Sequence, residues 1–207
     1  MSDAAPLLQL SGFGAQRAGD VLFAGLDFSV EAGQCWALSG PNGSGKTTLL
    51  RSVAGLFADY DGVLECTGSA YLGHKAGIPR LLPIVEGLRW YQRLLGSRQD
   101  LSALLRSVGL AGYEHVAANE LSAGQLRRAA LARLQLQDAP VWLLDEPYTA
   151  LDPQGQALVD ELIRQHCSKG GAVVAATHQP LAVAPHDPLQ TQVIEGSMRL
   201  ERLLLNV

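Results

Sequence analysis

Several features that are common in proteins are scarce or missing in this chain of 207 residues. Its cysteines, Cys35, Cys66 and Cys167, are odd in number and far apart, with no C-x-x-C pair. This argues against a disulfide framework and against a structural zinc site, and we interpret the cysteines as buried thiols in a reducing compartment. No run of about 18 apolar residues occurs, so we expect no segment to cross a bilayer by itself.

Charge is also sparse in this sequence. Charged residues make up 17% of the chain and the formal net charge is −4, so we expect no nucleic-acid partner. The N-terminus, Met-Ser-Asp-Ala-Ala-Pro, lacks the basic region and apolar run of a secretory signal, and we expect the chain to stay in the cytoplasm. Hydrophobic residues reach 47%, which fits either a large core or a surface that docks on another protein.

Hydrophobic periodicity predicts an α/β fold. Residues 7–30 alternate apolar and polar positions, as antiparallel strands do, and residues 60–72 have the pattern of a further hairpin. The other predicted strands are short apolar runs at 35–39, 141–145 and 172–177. Strand, loop, helix and strand again predict a mostly parallel sheet with crossover helices and an antiparallel β edge.

Helical spacing dominates the middle of the chain. Apolar residues recur at helical intervals from about 83 to 137, which predicts a helical subdomain at about 75–137, inserted in a single domain that covers 1–207. Further helices are predicted over 47–57 and from about Pro153. Residues 189–207 are predicted to form one or two short strands.

A complete phosphate-binding loop, G-P-N-G-S-G-K-T, stands at residues 40–47 between a predicted strand and a predicted helix. Its glycines let backbone N–H groups turn inward, and the helix that follows points its positive end at bound phosphates. Lys46 is predicted to reach the β- and γ-phosphates, and the Thr47 hydroxyl to bind Mg²⁺. Only three of the 16 basic residues are lysines, which disfavours an incidental lysine in a glycine-rich turn. The predicted nucleotide-binding residues are Gly40, Pro41, Asn42, Gly43, Ser44, Gly45, Lys46, Thr47 and Thr48.

An acidic pair, Asp145 and Glu146, follows the apolar run at 141–144. We expect it to emerge at the C-terminal end of a buried strand, beside the phosphate loop of the neighbouring strand. There Asp145 can hold Mg²⁺ through a water, and Glu146 can orient and deprotonate an attacking water. The alternative is an acidic pair that only makes hydrogen bonds within a turn.

The segment L-S-A-G-Q at 121–125 opens a predicted helix that runs to about Gln137, with Ser122 as its N-cap. In isolation an ordinary helix cap would explain this pattern. Arg127 and Arg128 follow at once, and we interpret them as a solvated pair on an exposed helix face.

Taken in order, these motifs, with A-L-D at 150–152 and T-H at 177–178, resemble the nucleotide-binding subunit of an ABC (ATP-binding cassette) transporter over nearly the whole chain. The resemblance implies an ABC-type P-loop NTPase fold, ATP and Mg²⁺ as ligands, and ATP hydrolysis with Glu146 as catalytic base. It also implies that His178 and Lys46 contact the γ-phosphate. Asp152 matches a loop that lies across the dimer interface of the family.

The resemblance further implies partners. In the family, the helix start at Ser122, Gly124 and Gln125 faces the γ-phosphate held by a second subunit, so two copies sandwich two ATP molecules. A homodimer is therefore implied, bound peripherally to integral membrane subunits at the cytoplasmic face of the inner membrane. Ala123 replaces the commoner glycine, a departure that adds one methyl group and should be tolerated.

One difference from the usual ABC sequence pattern suggests a particular subfamily. Where the family has a glutamine that touches Mg²⁺ and relays nucleotide state to the membrane partner, this chain has His74, in Y-L-G-H-K-A-G-I at 71–78. Imidazole is a poorer ligand for a hard cation than an amide oxygen. The same segment, with D-E-P-Y-T-A-L-D at 145–152, resembles the haem-exporter ATP-binding subunits of cytochrome c maturation.

Other hypotheses about the function of the chain, and about the role of Phe13, stay open at this point. The chain could be the ATPase subunit of another small ABC exporter, a soluble ABC protein of DNA repair or the ribosome, or a cassette that binds ATP as a regulatory module. Phe13 could stack on adenine or belong to the core.

Overall fold

A computed structural model describes residues 5–178, 181 and 190–193. The strands are β1 Leu8–Arg17, β2 Asp20–Val30, β3 Cys35–Ser39, β4 Tyr60–Cys66, β5 Ser69–Leu72, β6 Val141–Asp145, β7 Ala172–Ala176 and β8 Gln190–Val193. The helices are α1 Lys46–Val53, α2 Ile84–Leu95, α3 Leu101–Ser107, α4 Ala123–Gln135 and α5 Pro153–Ser168. Of the segment 189–207, which was predicted to form short strands, all but β8 lies outside the described residues.

The strands form two sheets. The smaller has three strands in the order β2-β1-β4, and β1 is antiparallel to both neighbours. The larger has five strands in the order β5-β6-β7-β3-β8, with parallel pairing of β6 with β7, β7 with β3 and β3 with β8. A mostly parallel sheet beside an antiparallel one confirms the predicted fold class.

The predicted hairpin at 60–72 is wrong. β4 belongs to the antiparallel sheet, and β5 belongs to the parallel sheet beside β6. Gly68 lies between them with a φ of +138°, a conformation that L side chains rarely adopt, and the chain leaves one sheet for the other there. Alternation in sequence identifies both strands, but it does not say which sheet each one joins.

The helix predicted over 47–57 also ends early. α1 stops at Val53, because Gly55 takes a left-handed φ of +69° and closes the helix end. Leu56, which the helical spacing included, is exposed. Among the described residues, no helix is both long and apolar enough to cross a membrane.

The chain divides into two compact units. One comprises residues up to Tyr71, Ala139–Glu146 and the chain from Ile163 on; the other comprises Leu72–Asp138 and Pro147–Leu162. We call them the sheet unit and the helical unit. The helical unit contains α2, α3 and α4 and also takes in Pro147–Leu162, which the predicted range of 75–137 left out.

Each unit has its own buried apolar residues. In the sheet unit, Leu8, Phe13, Leu50 and Leu143 belong to one cluster that joins both sheets to α1. In the helical unit, α2 packs against α3 and α4 around side chains that are fully buried. Burial of a leucine-sized side chain contributes about 2 kcal/mol, so these cores hold the loops of the site in place.

Candidate active site

The phosphate loop of the sheet unit connects β3 to α1 through Gly40–Gly45. Gly45 forms the N-cap of α1 with a left-handed φ of +97°. A Cβ atom placed there would lie 2.6 Å from Cδ1 of Phe23, so both conformation and space require glycine. Phe23 is buried in the core cluster, and this contact ties the loop to the antiparallel sheet.

Lys46 is buried at the first position of α1. Its Nζ donates hydrogen bonds to the carbonyl oxygens of Gly40 at 2.7 Å and Pro41 at 2.9 Å, so the ammonium lies inside the loop. The Ser44 hydroxyl is also buried and has no hydrogen-bond partner among the described residues. An ammonium, an unpaired hydroxyl and the N-terminus of a helix are the donors that a phosphate chain requires.

Thr47 and Asp145 meet at the start of α1. The Thr47 hydroxyl lies 3.0 Å from Oδ1 and 3.1 Å from Oδ2 of Asp145, a carboxylate that is only 2% exposed. Tyr71, in β5, donates its phenolic proton to Oδ2 at 3.2 Å. A hydroxyl and a carboxylate are oxygen ligands of the kind that Mg²⁺ prefers, so this donor set fits the ion.

Sequence reasoning missed the contribution of Tyr71. Tyr71 lies within the hairpin predicted at 60–72, but nothing in the sequence says that this part of the chain lies beside the strand that carries Asp145. The expectation that Asp145 follows a strand next to the phosphate loop is wrong in detail, because β7 lies between β6 and β3. The reach across β7 is possible because Ala176, the partner of Leu38 on one side and Asp145 on the other, has a small side chain.

Glu146 lies directly after β6 and has an unusual backbone conformation. Its φ is +50°, in the left-handed region, and its backbone N–H donates to the Ala176 carbonyl at 2.8 Å. A non-glycine residue held there costs about 1–3 kcal/mol, which the surrounding structure has to offset, and such residues cluster at functional sites.

His178 lies close to Glu146 and to the phosphate loop. Its Nε2 is 3.6 Å from Oε1 of Glu146 and 3.1 Å from Oδ1 of Asn42. The structure therefore brings together Asn42, Lys46, Thr47, Asp145, Glu146 and His178, which are predicted site residues from three separate stretches of the sheet unit.

The helix start at 122–125 belongs to the helical unit. Ser122 and Gln125 form a reciprocal capping box: the Ser122 hydroxyl accepts from the Gln125 N–H at 3.2 Å, and the Ser122 N–H donates to Oε1 of Gln125 at 2.9 Å. A Cβ atom on Gly124 would lie 2.9 Å from the Ala150 carbonyl oxygen, whereas Ala123 is exposed. The methyl group of Ala123 is therefore accommodated at the surface, whereas a methyl group at position 124 would clash with the Ala150 carbonyl.

These residues line one side of an open cleft of about 550 Å³. Its other walls come from Gly109, Tyr113, Arg128 and the segment Ala150–Asp152. Nη2 of Arg128 lies 2.9 Å from Oδ1 of Asp152, which also accepts the Gly155 N–H at 2.7 Å. The hydrogen bond from Gly155 and then the one from Arg128 lower the pKa of Asp152, so this carboxylate stays charged.

The interpretation of Arg127 and Arg128 as a solvated pair is wrong. Arg127 is 6% exposed, and it donates from Nη1 to the Gly73 carbonyl at 2.6 Å and from Nε to the Pro147 carbonyl at 3.3 Å. Arg128 is mostly covered and forms the ion pair with Asp152. The helical unit folds chain segments over both sides of α4, which a helix pattern read alone does not reveal.

Phe13 and His74, which were also singled out in the sequence, lie in different environments: the first is buried and the second exposed. Phe13 is fully buried, with its ring centroid 6.1 Å from that of Phe23 and 5.0 Å from that of Tyr60, so it belongs to the core and presents no face for adenine. His74 is exposed and lines a small cavity of about 220 Å³ in the helical unit, next to Arg127.

The ABC transporter family profile matches residues 23–149, a stretch that begins within β2 and includes both the phosphate loop and the acidic pair. The chain belongs to the ABC transporter family. It is an ABC-type ATPase, and this membership implies ATP binding. The resemblance expected from the motifs is thereby confirmed.

Named relatives are similar to this chain over most of its length. It is 42% identical over 198 residues to the cytochrome c biogenesis ATP-binding export protein CcmA of Idiomarina loihiensis, covering 88% of this chain and 90% of that protein. It is 44% identical over 193 residues to the protein of the same name from Pseudomonas putida, covering 86% of this chain and 92% of the relative. An ATP-binding subunit of an ABC transporter has the same fold, with a TM-score of 0.76 at 22% identity over 83% of this chain and 80% of that one.

Proposed function

We propose that this ABC family member is the ATP-hydrolysing subunit of an export complex for cytochrome c biogenesis, with Mg²⁺ as cofactor. The observation that carries the proposal is the meeting of Lys46, Thr47 and Asp145 at one end of α1 with Glu146 and His178 beside them. The relatives named as cytochrome c biogenesis export proteins support the choice of pathway.

The sheet unit would hold ATP by its phosphates. Lys46 can turn from the carbonyls of Gly40 and Pro41 to the β- and γ-phosphates, because all of these atoms line the same loop. The Ser44 hydroxyl gains a partner in the same way. Thr47 and Asp145 would hold Mg²⁺, which when bound neutralises charge on the β- and γ-oxygens.

Hydrolysis needs a water aligned with the γ-phosphorus and a group that takes its proton. Glu146 would orient the water and accept that proton as the new P–O bond forms, while the bond to the bridging oxygen breaks and ADP leaves with that electron pair. His178, 3.6 Å from the carboxylate, would hold Glu146 in line and donate to the γ-phosphate. Thr48 and Asn42 complete the loop around the phosphates.

The proposal includes a second copy of the chain. Ser122, Gly124 and Gln125 present a capped helix start at an open cleft, an arrangement that suits an anion supplied by another subunit. Asp152 lies in the same cleft. We propose a homodimer that closes on two ATP molecules, opens after hydrolysis and so drives integral membrane subunits from the cytoplasmic face of the inner membrane.

Steady-state ATP hydrolysis by Glu146→Gln tests the chemistry. We expect turnover to fall at least about 100-fold with nucleotide affinity retained, because the amide keeps the shape of the side chain but takes no proton. Light scattering should then show an ATP-dependent dimer that persists. Glu86→Gln is the matched control: it removes an exposed carboxylate that pairs with Arg89 on α2, and it should leave turnover unchanged. Equal activity of Glu146→Gln and wild type would contradict the assignment.

Affinity purification of the tagged chain from detergent-solubilised membranes tests the pathway. Wild type and Glu146→Gln should both recover membrane subunits of cytochrome c maturation, identified by mass spectrometry. Recovery of an unrelated permease would retain the ATPase and reject the pathway. Recovery of no membrane protein would contradict the proposed partners altogether.

A further inference from the structure

Tyr71 bonds to the carboxylate on which the proposed metal site depends. Its phenolic oxygen lies 3.2 Å from Oδ2 of Asp145, and the Thr47 hydroxyl lies 3.0 Å and 3.1 Å from the two oxygens of the same group. Asp145 is 2% exposed, so water does little to orient its carboxylate. Two hydroxyl donors, from β5 and α1, therefore fix the plane of this group.

The position of the phenol is itself fixed by packing. Tyr71 is half-buried and packs against the core cluster of the sheet unit, and β5 lies beside β6 in the sheet. This packing favours the position in which the hydroxyl lies beside Asp145. Thr47 is different, because its oxygen would also bind Mg²⁺. The orientation of its hydroxyl would then depend on both the ion and Asp145.

We infer that Tyr71 is a positioning residue for Mg²⁺: its phenol holds Asp145 in the orientation in which the carboxylate serves the ion, directly or through water. This inference rests on the proposed function, since it concerns the same metal site. Groups that orient a metal-binding carboxylate by hydrogen bonds commonly change metal affinity by about 10- to 100-fold when they are removed.

Tyr71→Phe isolates the hydroxyl, because the ring that packs on the core is kept. The test is the Mg²⁺ titration of binding of a fluorescent, slowly hydrolysed ATP analogue to the full chain, measured without reference to turnover. We expect the Mg²⁺ concentration at half-saturation to rise about tenfold in the variant. Binding of the analogue in excess chelator should match wild type, since Lys46 and the loop backbone are untouched.

Tyr91→Phe is the matched control. It also removes one phenolic hydroxyl, which donates to the Gly77 carbonyl in the helical unit. Its Mg²⁺ titration should equal that of wild type. Thermal melts without nucleotide separate a merely structural role, which would lower the melting temperature of Tyr71→Phe and leave its titration in place.

The outcomes distinguish the two ideas. A wild-type titration that responds to Mg²⁺, with an identical curve for Tyr71→Phe, would overturn the role of Tyr71 and leave the proposed function standing. Absence of any Mg²⁺ response in wild type would overturn both. An equal weakening in chelator and in Mg²⁺ would also overturn the inference, since it would mean that the phenol serves the loop rather than the metal carboxylate.

Discussion

Replacement of Arg127 by methionine should destabilise this protein markedly, although sequence reasoning places the residue on a solvated face. The guanidinium is 6% exposed and supplies hydrogen bonds to the carbonyls of Gly73 and Pro147. Methionine has a similar length and no donor, so both carbonyls lose a partner. A buried polar group left unsatisfied costs about 1–3 kcal/mol, so the two carbonyls together cost about 2–6 kcal/mol. We take about 3 kcal/mol, in the lower half of that range, as the expected loss of unfolding free energy.

The expected signal is large enough for a simple assay. For a chain of this length each kcal/mol corresponds to about 2–4 °C, so the melting temperature of Arg127→Met should fall by roughly 6–12 °C, measured by circular dichroism without nucleotide. Arg106→Met is the control: its side chain is 59% exposed and its nearest acidic group, on Asp100, is 3.9 Å away, an ion pair worth under about 1 kcal/mol. Equal melting temperatures for the two variants would refute the buried role of Arg127.

Three further predictions follow from the same geometry. Gly124→Ala should disrupt the helix start and abolish ATP-dependent dimerisation in light scattering, because its Cβ would lie 2.9 Å from the Ala150 carbonyl oxygen; Ala123→Gly should dimerise normally. Lys46→Ala should lose binding of a fluorescent ATP analogue by at least about 100-fold. Its melting temperature should fall less than that of Arg127→Met, because Gly40 is half-buried and Pro41 is exposed, so water can bind the carbonyls that Lys46 leaves. Burial lowers the pKa of His166, so its unfolded form binds a proton first and the free energy of unfolding should fall as the pH drops below about 6.5. Urea unfolding of His166→Gln should show a weaker dependence over that range, and an unchanged slope would contradict the assignment.

Much of the site could be predicted because its signals are local. The phosphate loop is eight consecutive residues whose glycines, lysine and threonine each have a function within the same turn. Ser122 could be predicted as an N-cap for the same reason, since its partner Gln125 is three residues away. Asp145 and Glu146 needed one more step, the assumption that parallel strands bring their carboxyl ends to one edge.

The misses share one physical cause. The hairpin at 60–72, the neighbouring strand of Asp145 and the solvated Arg127 all depended on which element packs beside which. Periodicity reports that one face of an element is covered, but it does not report by what. Arg127 illustrates this best, since an arginine on a helix is normally exposed and becomes a core residue only when carbonyls from other segments surround it.

The sequence by itself determined the family, the phosphate loop and the chemical types at the site, because each of these is encoded in a short run of residues with a fixed spacing. Tertiary structure decided the rest. Tyr71 and Asp145 are 74 residues apart, Thr47 and Asp145 are 98 apart, and Asn42 and His178 are 136 apart. Each pair meets because β5, β6, β7 and β3 lie in an order that the chain order does not reveal, and a hydrogen bond of about 3 Å exists only once that order is set.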